Sequence, residues 1–155
     1  MAGKRISEKR KIVLASGVFD LLHLGHVRFL EEAKKAGGEN AELIVIIARD
    51  RTVEKRKGKK PIMPENQRRA LVESLKVVDE AVLGYEEFDI GRVIEKIKPD
   101  VIVVGYDQDG MERMVKNYVE EKGLKIKVVK IGKFGEDELD SSSKIKQKII
   151  EDFKR

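Results

Sequence analysis

The sequence predicts an α/β domain: a doubly wound, parallel five-stranded sheet with helices on both faces. Three observations predict it. Short apolar runs alternate with stretches of helical spacing, the pattern of strands joined by right-handed helical crossovers. The clearest run, Leu43 to Ala48, is continuously apolar, as expected of a strand covered on both sides. At 155 residues the chain has room for one such domain with a proper core, and too little for two.

Each element has its own signal. Residues 1–10 are polar and basic and read as a frayed start ahead of a single domain over 11–155. Ile12 to Ala15 is the first strand, and Gly25 to Ala36 the first helix, with Val27, Leu30 and Ala33 at helical spacing and Gly37-Gly38 as its stop. Leu43 to Ala48 is the second strand. Asp50 to Lys60 then leaves the sheet with basic character, its end at Lys57 to Lys60 read as a flexible loop. Pro64 and Glu65 open the next helix, whose apolar stripe is Leu71, Val72 and Leu75. Glu80 to Leu83 is a short strand ending at Gly84. Ile90, Val93, Ile94 and Ile97 repeat with helical period up to Lys98-Pro99, which ends that helix. Val101 to Val104 is a strand closed by Gly105 to Gly110, a helix through Met114 and Val115 ends at Gly123, and Ile126 to Ile131 is the last strand. A loop from Gly132 to Asp140 leads to Ser141-Ser142-Ser143 and a final helix carrying Ile145, Ile149 and Ile150.

Composition excludes several classes. Without cysteine there is neither a disulfide nor a thiolate zinc site, and two histidines leave little for a transition metal, so no protein-held metal is expected. No apolar run reaches the length of a membrane span and the start lacks a secretory pattern, which points to a cytoplasmic protein. The net charge of +5 sits in a chain that is 39% charged, with acids and bases interspersed, as in Glu31, Glu32, Lys34 and Lys35. Such interspersion supports helix pairing and solubility rather than a nucleic-acid surface. The one concentrated basic run, ending in Lys57-Gly58-Lys59-Lys60, has no interleaved aromatics, so a polyphosphate suits it better than a stacked single strand.

In an open parallel sheet, ligands lie beyond the carboxyl ends of the strands, where the strand order switches. The loops after strands one, two, four and five each carry a distinctive cluster. The first holds Val18, Phe19 and His23-Leu24-Gly25-His26, with both histidines of the chain three apart at a strand-to-helix junction. Helix starts have unpaired N–H groups and the positive end of the macrodipole, so an anion is favoured there, and Gly25 should let it approach the backbone. One histidine so placed is usually a cap or a core residue. Two, following Gly17 and Asp20, point to a triphosphate seat. The second cluster, Lys57, Lys59 and Lys60, reads as a lid able to close over phosphates, or else as a solvated charge run, with Arg68 or Arg69 of the next helix facing the same crevice. The third, Gly105-Tyr106-Asp107-Gln108, offers a carboxylate to ribose hydroxyls or an exocyclic amine, or else a helix cap. The fourth, Ser141 and Ser142, combines an ordinary N-cap with a second anion contact. The chain has no Walker-type loop, no G-x-G-x-x-G and no nucleophile motif. Direct in-line transfer at phosphorus fits that inventory, since positioning and charge stabilisation carry most of such a reaction.

The stretch Gly17-Val18-Phe19-Asp20-Leu21-Leu22-His23-Leu24-Gly25-His26 resembles the G-T-F-D-x-x-H-x-G-H signature of glycerol-3-phosphate cytidylyltransferase and its adenylyltransferase relatives in the HxGH nucleotidyltransferase superfamily. Ser141-Ser142-Ser143-Lys144-Ile145 resembles their S-T-T-K-I arm. Arg49-Asp50, Thr52-Val53, the segment Lys57 to Arg69, Leu83-Gly84, Asp107-Gln108 and Ser141-Ser142 are similar, from end to end, to the archaeal-type FAD synthase family. The resemblance implies a Rossmann-like fold and AMP transfer from ATP to FMN with a divalent metal, probed most simply as Mg²⁺ carried on the triphosphate, and release of pyrophosphate. It implies His23, His26, Lys57, Lys59 and Lys60 as catalytic residues. It implies nucleotide contacts from Val18, Phe19, Leu24, Gly25, Asp107, Ser141 and Ser142, a substrate contact from Arg68, and a homodimer as in many relatives. The chain departs from the pattern at Val18, where many relatives have Thr, and in lacking an arginine before the Ser141 arm, for which Lys130 or Lys133 is the substitute. Glycerol-3-phosphate cytidylyltransferase, pantetheine-phosphate adenylyltransferase and a non-catalytic nucleotide- or RNA-binding module are the competing expectations.

Overall fold

In the computed structural model, which describes residues 10–133 and 139–154, all five expected strands form. They are β1 (Ile12–Gly17), β2 (Glu42–Ile47), β3 (Glu80–Leu83), β4 (Val101–Gly105) and β5 (Lys127–Ile131), all parallel, in the order β3-β2-β1-β4-β5. The helices are α1 (Leu24–Lys35), α2 (Asp50–Lys57), α3 (Glu65–Glu73), α4 (Ile90–Ile97), α5 (Asp109–Lys122) and α6 (Ser142–Phe153). Most of the expected frayed start and most of the loop after β5 lie outside the described residues. Arg10, expected within that start, donates from Nε to the Asn40 carbonyl at 2.9 Å.

The continuous apolar runs work as two interleaved sets. Val13, Ala15, Leu43, Val45, Ile47, Val101 and Val103 face one side, where Leu30 and Ala33 of α1 and Val72 of α3 cover them. Leu14, Ile44, Ile46 and Ile102 face the other, against Val93 and Ile94 of α4 and Val115 of α5. Period-two alternation of strand side chains thus gives the central strands β1, β2 and β4 two dry faces, the condition for a doubly wound sheet. Among the described residues no helix is long and apolar enough to cross a membrane.

The basic segment after β2 holds a helix that the sequence reading did not assign, Asp50 to Lys57; of the expected loop, Lys57 is helical and Gly58 to Lys60 leave the helix. Val53 is the one buried residue of α2, so the sequence offers no apolar stripe for periodicity to detect. The helix is held by its ends. Asp50 lies in the first turn and Lys55, Arg56 and Lys57 in the last, complementing the macrodipole, and Gly58 closes it with a left-handed φ of 82°.

The sheet opens where the strand order reverses. β1 stays in register with β2 along its whole length, to Gly17↔Ile47, but its pairing with β4 runs only over Val13↔Val101 and Leu14↔Ile102. Beyond Leu14 the two strands diverge and Gln108 spans the gap, accepting from Gly105 N–H at 2.7 Å and donating to the Ser16 carbonyl at 3.4 Å. The crevice of the switch point is built into the register.

Candidate active site

The loop from β1 to α1 is bent into a shape its residues do not favour. Phe19 and Leu21 both have left-handed φ values, 54° and 52°, each costing roughly 1–2 kcal/mol for a residue with a Cβ. The loop is held from three directions. Arg68 of α3 is fully buried and donates from Nη1 to the Val18 carbonyl at 2.7 Å, from Nε to the Met63 carbonyl at 2.9 Å and from Nη2 to Asp50 Oδ1 at 2.6 Å. The buried carboxylate of Asp20 accepts from Ile62 N–H at 2.8 Å and Met63 N–H at 2.9 Å. Its own carbonyl accepts from Ser142 Oγ at 2.6 Å. The histidine loop, the exit of the basic segment and the start of α6 therefore meet at one residue.

That framework presents the paired imidazoles. His23 is the N-cap of α1, and its N–H donates to Nδ1 of His26 at 3.2 Å. Because Nδ1 of His26 is an acceptor, its neutral ring carries the proton on Nε2. The rings stack with centroids 3.6 Å apart and planes 23° from parallel. Burial, and then the neighbouring His23, push His26 down to about 3 against the opposing charge of Asp20. Burial also lowers His23, with Asp140 pulling the other way. Both rings are neutral near pH 7 in this structure, so His26 offers a fixed N–H donor rather than a charge. The first turn of α1 contains no acidic residue to cancel the positive potential of its unpaired N–H groups.

Several expected contacts take a different form. Phe19 does not offer its ring to a ligand: it is 4% exposed, belongs to the core and lies 5.2 Å from the His26 ring. Arg68 is not available to substrate through its guanidinium, which binds the protein oxygens above. Arg69 turns away, donating to the Ala81 carbonyl on β3 at 3.2 Å. Gly25 is required by the chain itself, since a Cβ there would lie 2.5 Å from the Asp140 carbonyl. Ser141 Oγ accepts from Lys144 N–H at 3.2 Å as an ordinary N-cap, and the Ser142 hydroxyl is engaged with Asp20. What α6 brings is its N-terminus, set beside that of α1. Lys130 is paired with Asp109 and lies 3.7 Å from Glu112, so it does not replace the missing arginine. Lys133 stands 6.0 Å over the Tyr106 ring.

Val18 meets Arg68 through its carbonyl, and Leu24, 45% exposed, begins α1. Lys57 ends α2, and Lys59 and Lys60 are exposed on the segment whose continuation, Ile62-Met63, is fastened to Asp20. Asp107 is exposed at the end of β4, and the N-cap of α5 is Gln108, so Asp107 is not that cap. Asp20 and Gln108 stand in the motifs read from sequence, but not as the groups that fasten Ile62-Met63 and bridge Gly105 to Ser16. Asp140 escaped sequence reasoning, and no signal in the chain could have found it. A shallow groove of about 380 Å³ lined by Lys34, Lys35 and Val77 lies toward the other end of α1, away from the histidines.

Comparison with known proteins gives the family. Residues 14–148 match the Cytidylyltransferase-like family, and the chain belongs to it; it is a nucleotidyltransferase. It is 49% identical over 139 residues to an FAD synthase of Aciduliprofundum boonei, covering 90% of each chain. To an FAD synthase of Ferroglobus placidus it is 53% identical over 140 residues, covering 90% of this chain and 88% of the other. The crystal structure of the lipopolysaccharide core biosynthesis protein from Thermoplasma volcanium GSS1 is 44% identical and superposes with a TM-score of 0.73, over 82% of this chain and all of that one.

Proposed function

We propose that this chain is an FAD synthase, transferring AMP from ATP to the phosphate of FMN with release of pyrophosphate. The observation that carries the reading is the neutral Nε2–H of His26, fixed by the His23 N–H bond to Nδ1, at the start of α1. The choice of ATP and FMN rests on the likeness to FAD synthases along nine-tenths of the chain.

In this reading the triphosphate lies over the starts of α1 and α6. His26 donates from Nε2, His23 lies beside it, and the backbone N–H groups of Leu24 and Gly25 complete the seat. An oxygen of the FMN phosphate forms a bond to the α-phosphorus of ATP as the bond from that phosphorus to the bridging β-oxygen breaks, so pyrophosphate leaves in line with its charge on oxygen. In this reading Lys57, Lys59 and Lys60 supply the ammonium groups that neutralise that charge, and the carboxylate of Asp107 accepts from the nucleoside. Among the described residues no group of three or more His, Asp or Glu side chains converges to hold a metal. In this reading a divalent ion, Mg²⁺ bound through the triphosphate, would add to the neutralisation of that charge.

The test is incubation with Mg²⁺, each nucleoside triphosphate and a panel of phosphorylated acceptors, measuring pyrophosphate and FAD. ATP with FMN should give both in equal amounts. Pyrophosphate from CTP with glycerol 3-phosphate, and none from ATP with FMN, would replace this reading with a cytidylyltransferase; none with any pair would leave a binding module.

A further inference from the structure

Among the described residues, the buried side-chain polar atoms without a hydrogen-bond partner are two: Nδ1 of His23 and Oδ2 of Asp140. A buried unpaired carboxylate oxygen is costly, and one so placed calls for an explanation. These two belong to neighbours. A Cβ on Gly25 would lie 2.5 Å from the Asp140 carbonyl and 3.0 Å from His23 Nδ1, which brings the segment before α6 against the His23 ring. The Asp140 side chain is 4% exposed, and its Oδ1 accepts from the half-exposed Lys144 Nζ at 2.7 Å, leaving Oδ2 over.

We infer that Asp140 is a positioning residue for His23: when nucleotide phosphates occupy the start of α1, its Oδ2 accepts a hydrogen bond from His23 Nδ1–H and fixes His23 with Nε2–H toward them. The inference rests on the proposed phosphate seat and deepens it. Holding both N–H bonds at once makes His23 an imidazolium, and the proton comes from solvent as the anion arrives. His26 cannot play this part, because its Nδ1 already accepts from His23 N–H. Among the described residues, the titratable groups facing His23 are His26 on its own helix, with Asp20 acting on His26, and Asp140 before α6, on which Lys144 of α6 and Lys133 after β5 act in turn. Of these, Asp140 is the one that favours the cation directly. The two histidines therefore take different roles, His26 a neutral donor and His23 a cation made on binding. A stacked pair accommodates one charge far better than two.

With two histidines in the chain, side-chain ¹⁵N spectra report each ring separately. The spectra are recorded near pH 7.5 with Mg²⁺ and an ATP analogue carrying a methylene bridge between the α- and β-phosphates. The wild-type protein should show His23 doubly protonated when bound, and Asp140→Ala should show it neutral. Turnover of Asp140→Ala should fall roughly tenfold or more with little change in KM for ATP. Asp140→Asn, which keeps an oxygen acceptor, should recover part of that loss. Lys144→Ala removes the ion pair but leaves the carboxylate, and should stay within about twofold of wild type, separating positioning from simple support of α6. A His23 that stays neutral in the wild-type complex, or charges equally in Asp140→Ala, overturns the inference. So does equal damage from Lys144→Ala and Asp140→Ala. A His23 that responds as expected in a protein making no FAD leaves the positioning standing and removes the proposed reaction.

Discussion

Arg68→Met is the substitution that bears most directly on how the site is held. Methionine keeps much of the apolar stem and removes the guanidinium, so the carbonyls of Val18 and Met63 and the carboxylate of Asp50 lose a donor together. Breaking a buried ion pair from one side typically costs about 3–5 kcal/mol. Arg68 is fully buried but the Asp50 side chain is 25% exposed, so water recovers part of the loss; about 3 kcal/mol is the expected cost. In a chain of this size that lowers Tm by roughly 6–12 °C, read by circular dichroism at 222 nm. Val18 borders the strained turn at Phe19, so turnover assayed well below the transition should also fall as the histidine loop relaxes. If Arg68 instead contacted the acceptor, Arg68→Met would keep its Tm within about 2 °C and raise KM for FMN. That result would refute the reasoning.

Three further outcomes are expected. His26→Ala should lower turnover about a hundredfold, the usual effect of losing one preorganised donor; wild-type turnover would take His26 out of the reaction. Gly25→Ala should displace the start of α6, because its Cβ would meet the Asp140 carbonyl backbone at 2.5 Å. A loss of about 1–3 kcal/mol by urea titration, with reduced activity, is the measurable consequence. His26 is held at about 3 against an ordinary 6.5, so between those values the unfolded chain binds a proton that the native ring refuses. The resulting stability is complete above the unfolded value and is lost as pH falls through the interval. From pH 7 to 4.5 the loss is about 2–3 kcal/mol, and the unfolding free energy of His26→Asn from urea titration should fall by that much less than that of wild type; parallel curves would refute the buried neutral ring.

The sheet was legible because its signal is local and redundant. Leu43 to Ala48 and Val101 to Val104 declare themselves as two-faced strands wherever they pack, and Gly123 and Lys98-Pro99 mark helix ends by backbone chemistry alone. α2 was not legible: with Val53 as its sole anchor it has no stripe, and its ends are fixed by partners such as Glu65, whose Oε1 accepts from Asp50 N–H at 2.8 Å across fifteen positions. At the site, the histidines and the basic segment stand out by residue type and spacing. Asp20 and Arg68 stand out as motif residues but not in their roles, since nothing in a buried charge's own neighbourhood in sequence reveals which distant backbone groups it will satisfy.

Sequence by itself determined the class of fold, the pairing of two imidazoles with a helix start, and the kinship that names ATP and FMN. Tertiary structure decided which groups are available. It drew Arg68, Phe19 and the hydroxyls of Ser141 and Ser142 into holding the protein together, and it set Asp140 against His23 from more than a hundred positions away. The physical reason is that hydrophobic periodicity is carried within a segment of chain, whereas the partner of a buried polar atom is chosen only when segments far apart in sequence close on one another.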